Sequence, residues 1–546
     1  MMKFSWLTLL MLLPLGLIPA LNRQHMHWPV DKQDDAKGHW VFFTDKDGVS
    51  FDPYDFFDHK AIVRRKSLGL CLYDTLDFPV RPDYLSAVED IAGQGVVASR
   101  WFNAAHVHAP TQKLEALEAL PFVRKVRSSA MRLIPAGQPH EELSDLVIRS
   151  RDTLLFNAQM GHLQGDLFRE EGFDGQGVRI AIFDAGFRGV DSHPAFRHLR
   201  KNGQIVRTWD FHRQRENVFS SSVHGTMVLS AVGGMLGDQV LGYATGAEFL
   251  LARTEIRREP LAEEQYWLAA VEWADQHGAD IINSSLGYVY HRYFPEEMDG
   301  QTSLVARAAG IAAAKGVLVV NAAGNMGNNE KWRIVVTPAD ADSVLTVGAL
   351  EHPSMLRAAY SSLGPTADGR RKPNVSALGN VLAANRRAIT QASGTSFASP
   401  QVTAFAACLW QMHPSWTNMQ LFRAIERSGT LFPYYDYAHG YGRPQASYFF
   451  RDPTSFVSPT FDISQHNDSL YIVLRKTIHT KGEKGAQNRG NEYLYYQVKN
   501  AAGRIEKYAV IDLEEANQMV IGKRDLPDGH ILLVHFRGYT SSHSLR

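Results

Sequence analysis

The 546-residue sequence predicts an α/β fold built on a mostly parallel sheet covered on both faces. A small α+β unit precedes it and a small all-β sandwich follows. Three observations predict this. Between residues 143 and 450, near-continuous apolar runs at 178–184, 247–253, 279–284, 316–321 and 343–349 alternate with helical stretches near 226–236, 261–277, 302–315 and 397–412. Apolar runs of that kind read as strands buried on both sides, and their alternation with helices implies parallel connections. Residues 21–140 mix short strands and amphipathic helices, whereas residues 451–546 hold only short strand-like runs divided by turn signals.

In chain order, Lys3 precedes a Leu-rich segment that ends at Pro19-Ala20. One positive charge, an apolar core and a small residue before polar sequence describe a secretory signal peptide over 1–20. An uncleaved membrane anchor is the alternative, but the segment is short for spanning and Pro14 and Pro19 break it. In the next unit, His39–Thr44 reads as a strand, Phe56–Leu68 as a helix and Tyr84–Ala92 as an amphipathic helix. Val96–Val107 reads as a strand, Leu114–Leu120 as a short helix and Phe122–Val126 as a final strand. The stretch Arg127–Glu142 suits a processing linker.

Four stretches of the central unit carry chemical groups at element ends. Val178–Asp184 is a β-branched run that ends on a carboxylate and Gly186, and open α/β sheets place their sites at such strand ends. His224-Gly225-Thr226 opens a small-residue run and predicts a histidine at a helix start. Gly316–Val320 is a further buried strand, ending in Asn321-Ala-Ala-Gly-Asn325. Gly394-Thr-Ser-Phe-Ala-Ser-Pro400 suits a sharp loop-to-helix turn, with Ser396 at a helix N-terminus that favours developing negative charge. Taken singly, each has a plainer reading: helix cap, loop histidine, strand-end cap, turn residue.

The last unit has strand-like runs at Leu470–Leu474, Tyr493–Val498, Lys507–Ile511 and Ile531–Phe536, separated by Asn500–Gly503 and Pro527–Gly529. A sandwich of under a hundred residues is expected. The basic segment Arg475–Arg489 reads as a solvated loop.

Together with Asp280–Gly287, the four chemical stretches span 178 to about 405 in one order, and on them the chain resembles the subtilisin-like serine proteases. The resemblance implies a three-layer domain over 143–450. It implies Asp184, His224 and Ser396 as the triad in the order Asp, His, Ser, with Asn325 donating to the oxyanion beside the Ser396 N–H. It implies Ser285, Leu286 and Gly287, with Ala322, Ala323 and Gly324, as walls of the first specificity pocket. Small residues there leave room for a large apolar side chain, and the pocket floor falls in Gly327–Pro338, which does not align. The Trp101–His106 and Leu117–Val126 stretches resemble the propeptides of that family, which fold and then inhibit the enzyme; a retained α+β binding module is the alternative. Val498–Gly503 and Leu526–Val534 resemble the C-terminal sorting domains of type IX secretion substrates, and a stability or docking domain is the alternative.

These resemblances imply a secreted, extracellular or cell-surface serine endopeptidase, made as a self-processed zymogen with its propeptide as intramolecular inhibitor and polypeptides as substrates. Two departures stand out: Ala185 where the family has Ser or Thr after the catalytic Asp, and Asn374 where it has Asp. The hydroxyl missing at Ala185 would donate to Asp184, so a weak or inactive secreted binding protein is the alternative reading. A lipase or esterase would need Gly-x-Ser-x-Gly and the order Ser, Asp, His, which are absent. Formal net charge is zero, which argues against nucleic acid or an acidic membrane as ligand. The chemistry requires no cofactor; the 22 histidines show no zinc spacing, and structural calcium is allowed by the resemblance without an assignable site. Cys71 and Cys408 are expected as free thiols.

Overall fold

The computed structural model describes residues 36–93, 95–128, 151–256, 263–289, 293–451, 457–467, 469–475, 493–513, 517–522 and 526–544. The signal-peptide segment, nearly all of the processing linker and the basic segment expected as a loop lie outside these residues.

Seven parallel strands form the central sheet, in the order Val375–Leu378, Val344–Leu350, Leu318–Ala322, Ile281–Ser284, Arg179–Asp184, Glu248–Arg253, Ile205–Asp210. The first of these strands in sequence, Arg179–Asp184, lies inside the sheet, fifth in that order. The chain leaves it toward one edge and then crosses to build the other side, so its C-terminal end lies at the switch point where such sheets carry their sites. Period-2 alternation sends Ile180, Ile182, Leu318 and Val320 to one face and Ala181, Phe183, Val317 and Val319 to the other. The first face is covered by helices His224–Gly233 and Thr395–Met412, the second by Glu263–Gln276 and Leu304–Ala314. Strands buried on both faces are the reason the apolar runs were near-continuous. The edge strands 205–210 and 375–378 were not predicted, because Arg207 and Thr208 interrupt the apolar pattern of the first and the second is only four residues long with Ser376 inside it.

The N-terminal unit is a four-stranded antiparallel sheet, with Ala36–Phe43 between Ala104–Pro110 and Val123–Ser128 and with Val97–Ser99 at the far edge. Its first strand also alternates. Val41 and Phe43 pack on the unit's own helix Pro82–Ala92, whereas Trp40 and Phe42 join the core formed by helices 263–276 and 304–314. Two predicted elements are corrected. The helix expected over 56–68 is two, Pro53–Phe56 and His59–Ser67, because Phe57 turns extended and Asp58 caps the second helix through the Lys60 N–H at 2.9 Å. The strand expected over 96–107 is a hairpin, turned at Arg100–Asn103 with Asn103 at φ +46°, a conformation asparagine tolerates.

After residue 451 the described strands form sheets of three and four: Phe461–His466, Ser469–Leu474, Gln518–Gly522, and Ile505–Asp512, Tyr493–Lys499, Ile531–Phe536, Tyr539–Ser544. Phe461, Leu470 and Ile472 of one share a core with Leu494, Val498, Leu532 and Val534 of the other, which makes a sandwich. Among the described residues no helix is long and apolar enough to cross a membrane.

Candidate active site

Asp184 is the last residue of strand Arg179–Asp184 and is fully buried. His224 is the first residue of helix His224–Gly233, and its Nδ1 lies 2.9 Å from both carboxylate oxygens of Asp184. This approach depends on Gly225. Its N–H donates to the Gly186 carbonyl at 3.0 Å, and a Cβ there would lie 2.6 Å from that oxygen and 2.9 Å from Asp184 Cβ. Only glycine lets the helix start this close to the strand end. The Ala185 N–H donates to Asp184 Oδ1 at 2.7 Å, so the backbone supplies a donor to the carboxylate beside the position where the family's hydroxyl is missing. Burial disfavours the His224 imidazolium, but the Asp184 charge and hydrogen bond outweigh it and hold the pKa above the ordinary imidazole value.

Ser396 stands in the first turn of helix Thr395–Met412, entered through Gly394 at φ +148°. A first-turn N–H such as that of Ser396 has no acceptor within its own helix. The Phe397 ring lies 5.4 Å from the His224 ring, which brings the two helix starts together. The Ser396 hydroxyl donates to the Ser285 carbonyl at 3.1 Å, and Ser285 Oγ in turn donates to the Ser396 carbonyl at 2.9 Å. The second bond has a cause in the sequence. Pro400 has no N–H to return to the Ser396 carbonyl four residues back, so that oxygen is free for Ser285. Fully buried Asn283 completes the link: its Nδ2 donates to Ser285 Oγ at 3.1 Å and its Oδ1 accepts from Ser399 and Thr403 at 2.9 Å each. Helix and strand are thus fastened directly beneath Ser396.

Asn325 is exposed just past the strand Leu318–Ala322. Its Oδ1 accepts from both the N–H and the hydroxyl of Thr395, at 3.0 Å each, which leaves the amide Nδ2 with its donors available on the Ser396 side. Asp184, His224, Ser396 and Asn325 therefore meet at the C-terminal edge of the sheet. Ser285 joins them by its contacts with Ser396, and Leu286, Gly287, Ala323 and Gly324 continue the two segments that lead to it.

The sequence reading missed three contributors. Asn283 and the Pro400-freed carbonyl join residues over a hundred positions apart. Val336 is the third: its Cγ2 would lie 2.1 Å from a Cβ at Gly287 and its Cγ1 2.6 Å from a Cβ at Gly324. Val336 thus packs against both Gly287 and Gly324. Its register follows from the Val336 N–H bond to the Ala323 carbonyl at 3.1 Å, which no local pattern reveals.

Among the described residues no group of three or more His, Cys, Asp or Glu side chains is placed to hold a metal ion. Cys71 is exposed and Cys408 buried, both free; burial pushes the Cys408 thiol pKa far up, consistent with a small hydrophobe. Asn374 is structural, its Oδ1 accepting the Thr346 N–H and its Nδ2 donating to Glu426, each at 2.9 Å.

Residues 175–442 match the family model described as Subtilase family, and residues 38–142 match Peptidase S8 propeptide domain, Bacteroidota. Subtilisin NAT of Bacillus subtilis subsp. natto is 29% identical over 278 residues, 50% of this chain and 65% of that protein. The match thus spans under two thirds of that relative's length. A thermostable alkaline protease of Halalkalibacterium halodurans is 27% identical over 364 residues, 64% of this chain and 87% of the other. Among solved structures, Sphericase matches with 26% identity and a TM-score of 0.42, over 50% of this chain and 92% of its own.

Proposed function

The chain carries a subtilase domain behind a peptidase S8 propeptide domain, and from that premise we propose that it is a secreted serine endopeptidase, made as a zymogen that processes itself. The observation that carries the reading is the buried Asp184 carboxylate on His224 Nδ1, with Ser396 at the adjoining helix start. With Nδ1–H donated to Asp184, His224 presents Nε2 as the base. Ser396 Oγ swings from the Ser285 carbonyl, gives its proton to Nε2 and attacks the scissile carbonyl carbon. The carbonyl oxygen becomes an oxyanion that accepts from Asn325 Nδ2 and the Ser396 N–H. Its collapse expels the amine, which takes the proton from Nε2, and water then repeats the sequence to release the acyl group. Asp184 orients the ring and stabilises the imidazolium. The polypeptide substrate and the propeptide's inhibitory role come from the same premise.

The test compares wild type with Ser396→Ala, each expressed as the whole chain, by intact mass and by casein hydrolysis. Wild type should lose its N-terminal unit and cleave casein, and Ser396→Ala should stay full length and inert. Equal processing and equal hydrolysis by both would refute the assignment.

A further inference from the structure

We propose that Val336 closes the first specificity pocket and restricts this protein to cleavage after small residues, alanine or glycine rather than leucine or phenylalanine. The inference rests on the endopeptidase reading and names the substrate class of that same site.

The side chain of the residue whose carbonyl is attacked leaves the peptide one atom from the reacting carbon. Ser396 fixes that carbon and Asn325 its oxygen, so the side chain must descend between the segment 285–287 and the segment 323–324. In that gap stands the isopropyl group of Val336, buried to 2% exposure. Its two methyl groups lie within 2.1 Å and 2.6 Å of where Cβ atoms on Gly287 and Gly324 would be, so the glycines that would otherwise open the pocket are used to admit valine. The group cannot swing aside. Its backbone is tied to one wall by the Val336 N–H to Ala323 carbonyl bond at 3.1 Å, and to the other by the Tyr288 N–H to Thr337 carbonyl bond at 2.9 Å. Val335 and Arg333 are held from behind by backbone bonds with Leu363, both at 2.9 Å. A β-branched side chain on a fixed backbone has little rotamer freedom. The methyl of an alanine fits above such a floor, whereas a leucine or phenylalanine needs the volume that Val336 holds, and a close-packed interior does not yield it.

The experiment measures kcat/KM of the matured protein on peptides that differ only in the residue before the scissile bond: Gly, Ala, Leu and Phe. Active sites in each preparation are counted with a fluorophosphonate, and Val336→Gly and Val336→Ala are run beside wild type. Wild type should favour Ala over Phe by at least about tenfold, the scale of discrimination a few methylene groups give. Val336→Gly should raise the Phe-to-Ala ratio by at least about tenfold, with Val336→Ala intermediate; the milder variant keeps the comparison alive if the glycine destabilises the fold. Labelled wild type that prefers Phe or Leu, or labelled variants with an unchanged ratio, would overturn the pocket assignment alone. Wild type that takes no probe and cleaves none of the peptides would overturn the endopeptidase reading and this inference with it.

Discussion

At the residue scale, Asn325 and Asp184 make separable contributions. On the proposed mechanism, Asn325→Ala removes one oxyanion donor and should lower kcat by about 10²–10³-fold with KM little changed, because that bond strengthens only as charge develops. Asp184 acts through the ring it holds. Since the His224 pKa is raised, the imidazole is protonated and useless as a base below a pH that lies above the ordinary value of about 6.5. The acid limb of kcat/KM should therefore fall above that pH, with activity rising as pH rises through it. Asp184→Asn removes the charge that raises the pKa while burial remains, so the limb should move to lower pH and kcat should drop by about 10⁴-fold. A limb that stays in place would mean that Asp184 does not govern His224. The four groups were legible in the sequence only jointly, because their stretches fall in the order of the family the chain resembles; singly, each local pattern has a plainer reading. Val336 was not, because Val335 and Val336 look alike in sequence and only long-range backbone bonds decide which one faces the pocket.

At the scale of elements, the fastening of helix 395–412 to strand 281–284 should be measurable as stability. Ser285→Ala leaves the Ser396 carbonyl and Asn283 Nδ2 without their partner, which should cost about 1–3 kcal/mol in chemical denaturation of the matured protein. A smaller effect from Ser285→Thr would identify the hydroxyl as the cause. Helix 263–276 bears a second set of buried contacts. Asp275 accepts from Arg64 and Arg65 at 2.7 Å and from Arg100 at 2.9 Å, and Glu272 accepts the Arg100 and Trp101 N–H groups at 3.0 and 3.2 Å. Lys315, after the next helix, pairs with Asp77 at 2.9 Å. Those partners belong to the N-terminal unit, and Asp275→Asn strips buried Arg64 of its carboxylate, while Arg65 keeps Asp77 at 3.4 Å and Arg100 keeps Glu272 at 3.5 Å. The substitution should weaken association of the separately expressed N-terminal unit by about 3–5 kcal/mol, read as inhibition or direct binding. The main helices and strands could be read from periodicity. The break at Phe57-Asp58 and the turn at Arg100–Asn103 could not, since each is set by contacts with helix 263–276: the Asp58 N–H bonds the Gln276 carbonyl at 2.9 Å, and Glu272 captures the turn.

At the scale of the whole molecule, the peptidase core is gripped at two places. Trp40 and Phe42 of the N-terminal sheet enter the core of helices 263–276 and 304–314. On another flank, fully buried Tyr434 donates to the Tyr496 carbonyl at 3.1 Å and neighbours the His535 ring at 6.0 Å, tying the peptidase domain to the β-sandwich. Removing residues 451–546 should expose Tyr434 and lower the melting temperature of the peptidase domain, a loss of about 1–3 kcal/mol for the unmade bond. An unchanged melting temperature would show that the sandwich only rests there. All of this scaffolding serves one claim, that Asp184 and His224 turn Ser396 into a nucleophile. The most direct test reacts whole-chain protein, after processing, with a fluorophosphonate and maps the modified peptide by mass. Wild type should carry the adduct on Ser396, at a rate that falls at least about a hundredfold in His224→Ala with the fold intact by circular dichroism. An adduct on another serine, or undiminished labelling of Ser396 without His224, would contradict it.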